Sequence, residues 1–495
     1  MLAWIAIAAA LWSSDVTIDP LPPVVPVDQN QPVASRPYLY TTLELAAVMV
    51  GGTIWYLRHG TDGSWERGFE LHTWKRKILG EDVDFDTDRY NTNAIGHPID
   101  GTVYYQIARG NGFGPGGSFI ASALASTFWE YFVEIPEHPS LNDLILTPVG
   151  GAVLGEATYQ LGRYLAVSGS GAARCGGAFL FAPIAALNDR PFCRARGGII
   201  PTAQLELSVG FNRAVFNGGF VRDELALSFG SDIVSQPAYQ RPGSGAVVIR
   251  PGQWSSVYGD LKIGTNRLDG AWLTARTVWA GRYARSYHRA IADETDLPAP
   301  AGPAEGWGWM LGLGSTFDYR LRDLPRVHDR IASVGLGGPV FDLSARRAGA
   351  LFRATFNLQY AFAILGSIVY RTAYPELIGE AIKSPLRDNG YYYAHGVVTA
   401  TTLSLDLGAV GFLADGRGGW YWSIDSGDPA QSEIREDVLL HDERFYATAA
   451  MWTRPVVGAF RFGLSYQHVW RTSTLLGTTV EATETDVLFS GALTF

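Results

Sequence analysis

The hydrophobic pattern changes period near residue 200, and that change divides the chain. Before it, apolar residues recur at helical spacing; after it, they alternate with polar residues at every second position. In residues 202–212 Leu205, Leu207, Val209 and Phe211 fall on one face, and Gln204, Glu206 and Ser208 on the other. Comparable runs occupy 223–231, 257–266, 270–281, 307–319, 330–338, 348–362, 396–412, 444–453, 457–470 and 481–495. Many are close to the 9–11 residues, roughly, that a tilted strand needs to cross a bilayer. The connections 283–304, 375–389 and 414–442 are long and rich in Asp, Glu, Arg, Pro and Gly, and are expected on the extracellular side.

The last run sets Val487, Phe489, Gly491, Leu493 and Phe495 on one face. It resembles the terminal strand by which outer-membrane barrels are recognised, which implies the barrel-assembly machinery as a partner through Phe495. A soluble sandwich or jelly roll has no need of an aromatic carboxy terminus.

The helical half has its own pattern. Residues 38–57 predict an apolar helix carrying one acid, Glu44, and a Gly51-Gly52 pair. About 20 residues is enough to span a bilayer, but the acid and the glycines favour burial against other helices. Residues 64–79 are amphipathic, with Lys75, Arg76 and Lys77 among aromatics, and suit a membrane interface. A helix is predicted from His97-Pro98 to Arg109, because proline suits the first turn. Ser118, Ser122, Ser126, Glu130 and Glu134 then follow at i+4, one polar stripe on an otherwise apolar helix. That stripe should meet the His97 to Arg109 helix and a third one capped by Ser140, leaving the aromatic face outward. Asn142 and Asp143 mark the first turn of the third helix, while Gly151 and Gly155 form a groove for a neighbour.

Composition narrows the class. The chain is 47% hydrophobic and only 18% charged, with 57 Gly, 15 Trp, 23 Tyr and 24 Phe, the balance of a membrane barrel. A net charge of −9 offers no footprint for nucleic acid. The fold class expected is therefore α+β: an N-terminal helical domain followed by an antiparallel transmembrane β-barrel of roughly 10–12 strands. Residues 1–14 read as a signal peptide, 15–37 as a Pro-rich linker, 38–200 as the helical domain and 201–495 as the barrel. Localisation follows as the outer membrane of a Gram-negative-type bacterium, with outer-membrane lipid as a partner. Cys175 and Cys193, the only cysteines, are expected to pair in an oxidising compartment.

The sequence motifs HPxxG at His97, YYxxAR at Tyr104, WEYxxE at Trp129, PSxND at Pro139 and GGxxxGE at Gly150 occur in order. In that combination residues 40–200 resemble the bacterial envelope family catalogued as domain of unknown function 3943. The resemblance implies a helical exported domain and carries over no catalytic residue.

The candidate chemistry is a polar network: His97, Asp100, Tyr104, Arg109, Ser122, Ser126, Glu130, Glu134, Asn142, Asp143 and Glu156. Serines, a histidine and carboxylates could furnish a hydrolase, but no nucleophile signature surrounds any serine. His97 with Glu130, Glu134 and Asp143 lacks H-x-x-x-H or E-x-x-H spacing, so neither a metal nor a cofactor is expected. A structural network is expected instead, with Arg109 pairing Glu130 or Glu134, since buried carboxylates are tolerated beside a guanidinium. The function expected is non-enzymatic handling of a small solute or lipid by a barrel with a helical plug or periplasmic domain. An outer-membrane lipid hydrolase is the alternative.

Overall fold

The computed structural model describes residues 37–59, 75, 77–79, 83, 85, 86, 88–134, 139–168, 171–188, 202–288, 304–325, 327–373, 390–424, 440–455 and 460–494. Residues 1–36, most of the amphipathic segment 64–79, Cys193 and Phe495 lie outside them, and so do the expectations placed on them.

The helical half contains α1 (Pro37–His59), α2 (His97–Gly110), α3 (Pro115–Phe128), α4 (Leu141–Ile145), α5 (Gly151–Val167), α6 (Ala172–Phe181) and α7 (Pro183–Asn188). Wider π-helical turns at Thr92–Gly96, Trp129–Val133 and Leu146–Gly150 join α2, α3 and α5 to their neighbours. Cys175, on α6, is disulfide-bonded.

Strands β1 (Thr202–Phe216), β2 (Val221–Val234), β3 (Gly243–Ile249), β4 (Trp254–Ile263), β5 (Leu268–His288), β6 (Glu305–Asp323) and β7 (His328–Arg347) follow. Then come β8 (Ala350–Gly366), the short helix α8 (Ile368–Ala373), β9 (Tyr391–Asp406), β10 (Val410–Ser423), β11 (Leu440–Thr453), β12 (Phe460–Leu475) and β13 (Thr478–Thr494). All pair antiparallel, β1 with β13 and β5 with β6, so twelve strands close a barrel. The thirteenth, β3, pairs with the far end of β5 in line with β4; together they behave as one strand broken at 250–253. β10 begins in a segment read as strand but continues where a loop was expected, because inward Asp415 and Arg417 and three further glycines at 416, 418 and 419 hide its alternation.

Leu207, Val209 and Phe211 point outward and are about half exposed, as are Leu311, Leu313, Leu464 and Phe489 on other strands. Glu206, Asp232, Arg276, Arg353 and Arg417 point into the lumen. Apolar outside and polar inside is the arrangement of an outer-membrane-type barrel.

Register shows where the helices sit. Leu205 pairs with Ser231, which is followed across the sheet by Val257, Ala275, Phe317, Val334 and Phe362. Because Leu205 shares its face with Leu207 and Val209, this entire row lies on the outer wall. It is the same row that packs against Leu146, Val153, Leu154, Ala157 and Leu161 of the helical half. The helical domain is therefore a belt on the outside of the barrel, and the expectation of a plug built from it is corrected. Apolar residues recur on both faces of these strands at that level, so period alone could not distinguish a lumenal from an external partner.

The lumen has a stopper of another origin. Ile368, Val369 and Tyr370 of α8 fold inside, against Phe216, Leu324 and Val327 on one side and Tyr392, Tyr421, Leu440 and Leu475 on the other. The long connections also divide between the two ends. Alternating strand direction places the strand ends Gly366, Tyr391, Ser423 and Leu440 opposite the chain-terminus end and His288 and Glu305 at that end, so the ends that the three connections join do not share a side as expected.

Candidate functional site

The polar stripe of α3 turns toward its neighbours. Ser122 Oγ donates to the Gly101 carbonyl of α2 at 3.1 Å, and Ser126 Oγ to the Asp143 carbonyl of α4 at 3.2 Å. Ser118 Oγ donates back to the Gly114 carbonyl. Glu130, in the π turn after α3, accepts the Ser140 N–H at 2.8 Å, and Glu134 accepts the Trp129 indole N–H at 2.7 Å. Phe119, Ile120, Leu124, Phe128 and Phe132 face away from the barrel and are exposed. Lys77, read as an interfacial residue, is fully buried, and its ammonium donates to the Glu130 and Glu134 carbonyls. It satisfies acceptors that a helix end leaves open.

The acids and bases divide into two clusters. In the first, His97 opens α2 and its Nε2 lies 3.3 Å from Asp143 Oδ1. Asp143 also accepts the Asn142 Nδ2–H at 2.7 Å, while Asn142 Oδ1 accepts the Ser140 hydroxyl and the Asp86 N–H. Burial pushes the His97 imidazole down to about 4, so the ring is neutral at physiological pH. Burial and then the Glu130 and Asp86 carboxylates push Asp143 well up. Asp86 was not among the residues singled out; its only signal was the run of aspartates at 82, 84, 86 and 88.

The second cluster centres on Glu156, which is fully buried on α5. Arg109 grips it with two bonds, Nε to Oε2 at 2.8 Å and Nη2 to Oε1 at 3.1 Å. Tyr105 Oη and Gln160 Nε2 each donate to it at 2.7 Å, and the guanidinium stacks 4.4 Å from the Tyr159 ring. Arg109 thus pairs with Glu156 and not with Glu130 or Glu134, as expected from the sequence. The reason is register: Arg109 lies three turns along α2 from His97, level with α5, while Glu130 and Glu134 fall beyond the far end of α3. Tyr104 packs with Met49 and Ala125, and Asp100 lies on the exposed side of α2; among the described residues neither bonds into these clusters.

Barrel residues complete both clusters. Gly252, at φ +78° in the break between β3 and β4, approaches Glu156 and Gln160 so closely that a Cβ there would overlap the carboxylate. On β9, Tyr393 donates to the Asp86 carbonyl at 2.8 Å and Tyr391 to the Asp88 carbonyl, while Asn93 Nδ2 donates to both phenol oxygens. Phe85 packs on Tyr393 at 4.8 Å.

A third polar region lies in the lumen. Near α8, ion pairs run from wall to wall: Arg322 of β6 holds Glu224 of β2 at 2.7 Å and Glu484 of β13 at 2.5 Å, Arg471 of β12 holds Glu484 and Asp329, and Arg444 of β11 holds Asp329 and Asp442. Beyond them a cavity of about 510 Å³ extends to Gln204, Asp406 and Trp452 at the chain-terminus end. Of its arginines, Arg353 lies near Asp232 and Asp342, Arg417 bonds Asp415 at 2.9 Å and Arg461 bonds Glu206. Arg276 faces the same space, and its buried Nε has no hydrogen-bond partner among the described residues.

Among the hydrogen bonds of the described residues no serine of the stripe meets His97; the three hydroxyls are spent on backbone carbonyls. The hydrolase alternative thus lacks its first requirement, a nucleophile in contact with its base.

Residues 82–184 match the family model described as domain of unknown function (DUF3943). No curated protein matches. The translocator domain of the autotransporter NalP from Neisseria meningitidis is similar at 9% identity, covering 61% of this chain and 90% of its own, with a TM-score of 0.21. OccK2 (OpdF) of Pseudomonas aeruginosa gives 12%, 60%, 98% and 0.19 on the same measures. The toluene transporter TodX of Pseudomonas putida gives 8%, 59%, 89% and 0.21. At such TM-scores these likenesses carry no argument about this chain.

Proposed function

We propose that this chain, a DUF3943 segment belted onto an outer-membrane-type barrel, is a non-enzymatic outer-membrane protein that admits a small anionic solute into its lumen. The observation that carries the reading is Arg276. Arg353, Arg417 and Arg461 each lie within ion-pair distance of an acid, whereas Arg276 has no such pair among the described residues and its Nε–H makes no hydrogen bond. A buried donor without an acceptor is costly, and an entering carboxylate or phosphate can accept from that Nε–H in a charge-assisted pair. Trp272 and Tyr258 on the same wall offer an apolar surface beside it. The stopper at the α8 end makes the lumen a blind vestibule in this conformation, which favours capture over free diffusion.

Calorimetry on the protein in detergent tests this with acetate, succinate, benzoate and phosphate against acetamide and benzamide. Anions should bind and amides should not, and Arg276→Gln should weaken anion binding by about tenfold or more, the loss of one charged hydrogen-bonding partner. Equal affinity in that variant, or no anion binding by the parent protein, rejects the reading.

A further inference from the structure

In the first cluster of the helical belt a buried imidazole nitrogen without a hydrogen bond lies beside two carboxylates. Asp86, His97 and Asp143 each place one donor atom so that the three lie within 4.8 Å of one another. Nε2 of His97 is buried and makes no hydrogen bond in this geometry, although it faces Asp143 Oδ1 at 3.3 Å. Asp143 itself is only 3% exposed. In the tautomer that carries its proton on Nδ1, Nε2 presents a lone pair on the side where the Asp143 and Asp86 oxygens lie, an arrangement that a cation would fill.

The His97–Asp143 spacing also fits. Two ligand atoms on a tetrahedral ion at about 2.1 Å are roughly 3.4 Å apart. We propose that Asp86, His97 and Asp143 form a site for a divalent first-row cation of the zinc type, with one imidazole nitrogen, two carboxylate oxygens and a fourth position open to water. The donor set of one borderline nitrogen and two hard oxygens selects against soft thiophilic ions. Asn142 supplies the outer contact that such sites use: its Nδ2 donates to Asp143 Oδ1 and its Oδ1 fixes the Asp86 backbone N–H, so one side chain orients two of the three ligands. The ion would tie Asp86 to the start of α2 and to α4, which follows about 45 residues later. Tyr393 and Tyr391 hold the Asp86 and Asp88 carbonyls to the barrel wall. The site is therefore a clamp between belt and barrel, outside the lumen and independent of the anion reading.

The test uses the full-length, tag-free protein in detergent, stripped with chelator and dialysed against zinc. Metal analysis after gel filtration should find one zinc per chain, and cobalt in its place should give the visible absorption of a four-coordinate N/O site. His97→Gln, Asp143→Asn and Asp86→Asn should each weaken zinc binding at least tenfold, while Asp100→Asn, on the exposed side of α2, should leave it unchanged. X-ray absorption of the zinc-loaded parent protein needs no variant to fold, and should show a single imidazole in an otherwise oxygen shell. No stoichiometric zinc, uptake unchanged in the three variants, or a shell with several imidazoles would each overturn the proposal.

Discussion

Glu156 shows how a buried carboxylate is held in this belt. Its two oxygens receive four hydrogen bonds, two from Arg109 and one each from Tyr105 and Gln160. Desolvating both charges costs several kcal/mol per ion, and the pair is tolerated only because its geometry is bidentate and its remaining lone pairs are filled. Removing one partner strands the other. Arg109→Met should lower stability by about 3–5 kcal/mol, and the Arg109→Met, Glu156→Gln double variant by less than the sum of the single changes. Denaturant melts of the four proteins in detergent measure this, and strict additivity would show that the two residues act separately. The glycines at the α2–α5 crossing give a second prediction. A Cβ on Gly101 would overlap the Thr147 carbonyl, and one on Gly151 would overlap the Gly101 backbone. Gly101→Ala should therefore cost about 1–3 kcal/mol through overpacking, whereas Gly116→Ala, in open space on α3, should cost nothing and can gain helix propensity. Equal melts for the two variants would mean that the helices can separate without loss.

At the scale of elements, α3 is inverted relative to a helix of a soluble protein. Its serines and the following Glu130 face the protein, and Phe119, Ile120, Leu124, Phe128 and Phe132 face out. On α1, Leu43, Val50, Ile54 and Trp55 do the same, while Met49 packs on Tyr104 and Ala125, and Glu44 accepts a hydrogen bond from Asn111 at 2.7 Å. The exposed apolar surface of the belt thus continues that of the barrel, and the expectation is that both contact lipid. Among the described residues no helix is long and apolar enough to cross a membrane. Tryptophan placed at Leu124 should be quenched by brominated acyl chains as strongly as tryptophan placed at Leu207 on the barrel wall. Quenching at Leu207 alone would place the belt in water. This orientation was legible from the i+4 spacing, because spacing fixes which residues share a face. The barrel was legible for the same reason, since period 2 survives wherever one face meets lipid. Where the alternation fails, in β3 and in most of β10, the sequence shows no strand. The partner of Arg109 and the role of Asp86 were not legible, because both depend on which helix end lies beside which, a long-range outcome that neither period nor propensity encodes.

For the whole molecule, the question is what keeps the lumen closed. Two barriers lie in series at the α8 end. The apolar one is Ile368, Val369 and Tyr370 packed among lumenal side chains, tied by the Val369 N–H donating to Ser473 Oγ at 3.4 Å. The polar one is the set of ion pairs from Arg322, Arg444 and Arg471 to acids on facing walls. They differ in how they can open. Ion pairs that remain well matched hold the strands in register whether or not α8 is present, so the apolar stopper is the part that can leave without unfolding the barrel. Its strand neighbours, the end of β8 and the start of β9, remain paired from Leu351↔Asp406 to Gly366↔Tyr391. Replacing residues 368–373 by Gly-Ser sequence should therefore leave an assembled barrel, judged by its heat-modifiable migration, and should raise single-channel conductance in planar bilayers above that of the parent protein. Combining this change with Arg322→Gln and Arg471→Gln should raise it further at a cost in thermal stability, because Glu484 then loses both arginines that pair with it. If removing the stopper leaves conductance at the parent level while the ion-pair changes alone raise it, the charged layer is the gate and α8 only its cover.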